Sequence, residues 1–159
     1  MKAKLSLLIV LFLGLAACTD NAIIDQNIAI KNKVWLYEQK PLFPVHITNK
    51  NIPYHLYLNL RNSIDYPFSN IFILVHQQNP NKTKTTYRVE VKLVNPEGLW
   101  KGKTAGSIFS HQVRFLKNYQ FPDTGKYSFQ LEQNMRIDGI NGISDVGIRV
   151  EPATPDTIN

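Results

Sequence analysis

The chain has 159 residues, a net charge of +6, 43% hydrophobic residues and a single cysteine. That length suits one domain, and one thiol cannot close a disulfide within the chain. The lysines and arginines are scattered from Lys31 to Arg149 rather than gathered in a block, which argues against a nucleic-acid partner and for acidic lipid or sugar neighbours.

Lys2 and Lys4 precede an unbroken apolar run over residues 7–13, and Leu15, Ala16 and Ala17 lead into Cys18. A basic start, a short apolar core and small residues before a cut make a secretory signal, and the run is too short to remain as a membrane span. Because the cut falls before a thiol, residues 1–17 are predicted to be a lipoprotein signal peptide. Cys18 is then the lipidation site, with a diacylglycerol on its sulfur and a further acyl chain such as palmitate on the new amino terminus. The mature chain of about 142 residues can bury roughly two thirds of its unfolded surface. Its place is the cell envelope, anchored to the inner or outer membrane on the periplasmic or surface side.

Residues 18–32 are poor in aromatics and rich in Asn, Asp and Gln, as suits a lipidated tether, although Ile24, Ile28 and Ile30 alternate as a first strand would. The folded domain is expected over 33–151. Val34, Trp35, Leu36 and Tyr37 favour a strand, and Pro41 and Pro44 break the run that follows. Tyr54, Leu56, Leu58 and Leu60 alternate with His55, Tyr57, Asn59 and Arg61, giving one apolar face and one wet or functional face. Residues 70–76 form a nearly continuous apolar run, predicted to be a central strand covered on both faces. Tyr87, Val89, Val91 and Leu93 alternate with polar residues and make a half-buried partner.

Asn95, Pro96, Glu97, Gly98 and Pro122, Asp123, Thr124, Gly125 share turn chemistry. Between them, residues 99–107 read as irregular backbone, and the common parity of Phe109, His111, Val113 and Phe115 favours a strand over 107–117. Two alternating runs, 126–135 and 143–151, flank a Gly-rich turn and are predicted to form a final hairpin bringing Arg136, Asp138, Asp145 and Arg149 together as an ion-paired or docking edge. Residues 152–159 are expected to be a flexible tail. About eight or nine short strands imply an all-β fold, an antiparallel β-sandwich of jelly-roll type.

No chemistry-bearing constellation stands out. Gly98, Gly102, Lys103 and Thr104 fail the P-loop spacing and precede no helix. His46, His55, His76 and His111 form no short ligand pair, so neither a metal nor another cofactor is expected. Asp65, Glu90, Glu132 and Asp138 are spread over different elements, and no serine carries a nucleophile signature, so the chain is expected not to be an enzyme. Trp100, on a glycine loop that also carries Lys101 and Lys103, is either an exposed contact residue or a plug for the end of the sandwich. With Tyr57 or Tyr119 it could offer stacking platforms to a glycan, the alternative function.

Pro96, Gly98, Trp100 and Gly102, then Gly125, Tyr127, Phe129, Gln133, Asn134, Met135, Arg136, Ile140, Gly142, Ile143, Asp145, Val146 and Gly147, together with the lipobox at Cys18, resemble the gliding-motility lipoprotein family GldH of Bacteroidetes. The resemblance implies a cell-envelope lipoprotein needed for surface gliding and tied to type IX secretion, in a family that also occurs in species that do not glide. It implies no catalytic residues. The expected partners are the membrane, through the lipid, and other gliding or secretion envelope proteins. Asp156, Thr157 and Ile158 are similar to the O-glycosylation site of the same phylum.

Overall fold

The computed structural model describes residues 20–153; Cys18, the expected signal peptide and the expected tail site at 156–158 lie outside them. Eleven antiparallel strands follow in order: β1 (Ile24–Ala29), β2 (Val34–Leu36), β3 (Leu42–Ile47), β4 (Tyr54–Ser63), β5 (Asn70–Gln78), β6 (Lys84–Lys92), β7 (Lys103–Ala105), β8 (Ile108–Tyr119), β9 (Gly125–Gln133), β10 (Gly139–Asn141) and β11 (Ile143–Pro152). Three of these, β2, β7 and β10, have only three residues each. Of the other eight, alternation anticipates β4, β6, β8, β9 and β11, an apolar run anticipates β5, and alternating isoleucines warn of β1, whereas β3 is masked by its prolines.

One sheet has the order β1-β11-β4-β8-β7, a second β3-β9-β5-β6, and β10 pairs with β2 in a small third. Without β7, the two large sheets are a four-on-four jelly roll, each strand pair antiparallel, with the chain alternating between sheets except at the β5–β6 hairpin. The inward residues of both sheets make one core. Leu56, Leu58 and Leu60 of β4 and Val146, Ile148 and Val150 of β11 face Val45, Ile73, Val75, Phe129 and Leu131 of the other sheet, all buried. Trp35 is fully buried beside Ile140, and its Nε1 donates to the Gln39 carbonyl at 2.8 Å. Gly142, with φ +84°, turns into β11 against the Tyr66 backbone, which a Cβ would meet at 2.6 Å.

Several sequence expectations are corrected. The stretch set aside as a tether contains β1, as its isoleucines warned; Ile24 and Ile28 pack on the core and Ile30 is buried in it. Pro44 does not break β3 but sits within it, exposed, on the outermost strand of its sheet, where a missing N–H leaves no ladder bond unmade. The apolar run of β5 is central between β9 and β6 but not fully covered, since Phe72, Leu74 and His76 are half-buried on the outer side. The irregular stretch 99–107 contains β7, and Trp100 bridges Val94. Most consequentially, β9 and β11 are not a hairpin: β9 pairs with β3 and β5, while β11 pairs with β1 and β4 in the opposite sheet.

Candidate functional site

The outer face of the five-stranded sheet is built from the alternate residues that the core rejects. Its register aligns them in rows across the strands. One row holds Asp25, Arg149, Tyr57 and Arg114; the next Asn27, Gly147, Asn59 and Gln112; the third Ala29, Asp145, Arg61, Ser110 and Lys103. Directly opposed polar side chains on a sheet lie close enough to bond, and here they do. Gln112 Nε2 donates to Asn59 Oδ1 at 2.9 Å, and Asn59 Nδ2 donates to Asp25 Oδ1 at 2.8 Å. Arg61 Nε lies 2.6 Å from Asp145 Oδ2, and the Asp145 carboxylate is buried beneath it.

Arg149 organises the other end of the face. Its guanidinium meets Asp20 at 2.6 and 2.7 Å, Asp25 at 2.7 Å and Glu151 at 2.6 and 2.8 Å, using all three nitrogens. Tyr57 donates its hydroxyl to the second oxygen of Glu151 at 2.8 Å. The Arg149 hydrogen bonds pull the Asp20 carboxyl from 3.8 down to about 2. Burial pushes Glu151 upward, but its bonds to Arg149 and Tyr57 win and hold it below the usual carboxylate range. The Asp20 bond in turn raises Arg149, which stays charged. Asp20, four positions before β1, is thereby stapled to β11.

Gly147 lies under this network. A Cβ there would stand 2.1 Å from Asn27 Oδ1 and 2.3 Å from the Gln26 carbonyl, so only glycine lets β1 approach. From Asn27 a groove of about 720 Å³ runs past Asn59 and Gln112 to the edge of β8, where Lys92, Lys101 and Lys103 gather. Gly102, at φ +94°, lies flush on β8; a Cβ would meet the Ser110 carbonyl at 2.6 Å and the His111 ring at 2.9 Å. His111 is buried below, its Nε2 2.9 Å from Asn62 Oδ1; burial first, then the Lys101 charge, lowers its pKa and keeps it neutral. Among the described residues, no carboxylate lies within ion-pair distance of the three groove lysines.

The residues singled out from sequence fall in different places. Asp145 and Arg149 are both on this face but bond to Arg61 and to Asp20, Asp25 and Glu151 rather than to each other's expected partners. Arg136 lies over the opposite sheet, beside Phe68, Phe72 and Ile137, and Asp138 holds the Tyr37 N–H through its backbone carbonyl. The predicted four-residue edge does not form, because β9 and β11 part to different sheets. Lys101 and Lys103 rim the groove, whereas Trp100 is half-buried, stacked on Phe109 with ring centroids 5.1 Å apart and packed on the core. Tyr119 packs edge-on against Phe121, and Tyr57 lies on the outer face with its hydroxyl on Glu151. Sequence reasoning missed Asp20, Asp25, Asn27 and Gln112; only the polar half of β4 signalled the face they complete. Among the described residues no group of His, Cys, Asp and Glu is placed to hold a metal ion.

Residues 22–150 match the family described as GldH lipoprotein. The chain belongs to the GldH lipoprotein family. A protein of Christiangramia forsetii named gliding motility lipoprotein GldH homolog is 28% identical over 160 residues, covering 95% of this chain and 98% of its own length. The gliding motility lipoprotein GldH of Flavobacterium johnsoniae is 25% identical over 144 residues, covering 86% of this chain and 89% of its own. No solved structure matches the chain. The match begins just before β1 and ends inside β11, so the GldH family unit is the whole jelly roll, the first strand included.

Proposed function

We propose that this GldH-family chain is acylated at Cys18 and serves the gliding-motility and type IX secretion apparatus as a non-enzymatic envelope component, acting through protein contacts. The observation that carries the reading is the family match across the jelly roll, joined to the lipobox before it. The site chemistry agrees with it. Asp20, Asp25, Asp145 and Glu151 are each tied to an arginine of the same face, so these acids are spent on holding strands together rather than poised for proton transfer. The buried, neutral His111 spends its Nε2 on Asn62 Oδ1.

Deleting the gene in a gliding host is expected to abolish colony spreading and reduce secretion, with both restored by the wild-type chain. Normal spreading, normal secretion and an intact apparatus in the deletion strain would overturn the assignment. Cross-linking the acylated protein in its own envelope is expected to capture components of that apparatus.

A further inference from the structure

Asp20 and the groove lie on the same face of the molecule. Asp20 is gripped by Arg149 above the outer face of the five-stranded sheet, and Cys18 is two residues upstream. Two residues span at most about 7 Å of extended backbone, so a lipid on Cys18 enters the bilayer next to this face and cannot swing the globule freely. On this face four carboxylates, Asp20, Asp25, Asp145 and Glu151, share the two arginines Arg61 and Arg149, while at the other end of the groove Lys101 and Lys103, with Lys92 from the adjoining end of β6, are exposed and without a carboxylate partner among the described residues. The surface nearest the anchor thus carries uncompensated positive charge at its far end.

We propose that this face lies against the membrane, and that the lysine end of the groove takes phosphate groups of lipid headgroups. The proposal rests on the acylation of Cys18 put forward above. The covalent anchor supplies proximity at one end of the face and the lysines supply attraction at the other, so together they fix which way the jelly roll faces. The four-stranded sheet is then turned away from the bilayer and left open to protein partners. Each basic residue close to an acidic leaflet contributes roughly a fivefold gain in affinity. Gly102 is what lets Lys101 and Lys103 flank β8 without lifting the loop off it.

Acylation occupies the sulfur of the only cysteine, so a single introduced thiol can carry a fluorophore. Ala29→Cys reports from the outer face of the five-stranded sheet, and Lys84→Cys from the opposite sheet; both positions are exposed. The full-length acylated protein is reconstituted on phosphatidylcholine vesicles doped with phosphatidylglycerol and a headgroup nitroxide lipid, and flotation is scored alongside quenching. The expected result is strong quenching at Ala29→Cys and weak quenching at Lys84→Cys. Combined Lys92→Glu, Lys101→Glu and Lys103→Glu brings the first down to the second, and the matching Lys→Arg set preserves it. Vesicles of phosphatidylcholine alone also abolish the difference. Equal quenching at both labels, or quenching indifferent to charge reversal in a variant with unchanged thermal unfolding, overturns the proposal. Loss of the Ala29→Cys signal on adding inorganic phosphate, but not chloride of equal ionic strength, makes the groove a soluble-phosphate site and overturns the headgroup assignment. A chain that fails to float brings down the anchor reading itself, and the orientation with it.

Discussion

The two outer faces of the sandwich cover one shared core by opposite means. On the five-stranded sheet, charges and amides bond across β1, β11, β4 and β8 in successive rows, with Asp145 and Asn59 buried in the network. On the four-stranded sheet, apolar side chains are shielded by longer polar ones. The Arg88 guanidinium lies 3.8 Å from the centroid of the Phe72 ring, and Glu132 bridges Lys40 at 2.8 Å and His76 at 3.0 Å. The difference shows where specific geometry is held. One face fixes the register of the amino-terminal strand through charge, while the other only limits how much apolar surface meets water.

Four changes separate these two kinds of covering. Gly147→Val puts side-chain atoms where the Gln26 carbonyl and Asn27 amide now lie, and is expected to cost about 3 kcal/mol in urea unfolding by forcing β1 off the sheet. Unaltered stability would mean that β1 is not held as closely as described. Arg149→Met leaves Asp20, Asp25 and Glu151 without their shared cation. A loss of about 2 kcal/mol is expected, below the range for fully buried pairs because the carboxylates are partly exposed. Its signature is faster hydrogen exchange in β1 with β5 unchanged.

Acid should reproduce that second result by titration. Asp20 is depressed from 3.8 to about 2 and Glu151 is lowered, so their contribution is complete above the unfolded values and is lost as pH falls toward about 2. Exchange measured through that window should show β1 opening before β5, even though Glu132 is also lowered: burial raises it, but Lys40 and His76 overcome that. Simultaneous opening of both strands would contradict the latch. Arg88→Ala, on the other face, removes a cation–π contact over Phe72 and an exposed hydrogen bond to Asn134 Oδ1, and should cost no more than about 1 kcal/mol, with β1 exchange untouched.

The all-β class and seven of the long strands were legible because alternation reports which residues face inward. Alternation does not report which sheet a strand joins. The segment between β9 and β11 carries Asp138, Gly139, Asn141 and Gly142, residues that suit a tight return equally well when the chain crosses to the other sheet. That one ambiguity produced the hairpin and with it the mistaken cluster of Arg136, Asp138, Asp145 and Arg149. The polar half of β4 was readable as a wet face, yet its partners Asp25 and Gln112 stand 34 and 53 residues from Asn59 along the chain. Trp100 drew notice for its glycine-rich setting, while the wholly buried indole is Trp35, whose short β-branched and aromatic strand gave no sign of its role as an end plug.

The orientation and the envelope role both depend on the processing and acylation at Cys18 proposed above. Intact-mass and amino-terminal peptide analysis of the protein purified from its own envelope tests this most directly. A terminus at Cys18 carrying a diacylglyceryl thioether and an amide-linked acyl chain is the predicted result. A chain beginning elsewhere, or a Cys18 with an unmodified thiol, would contradict it.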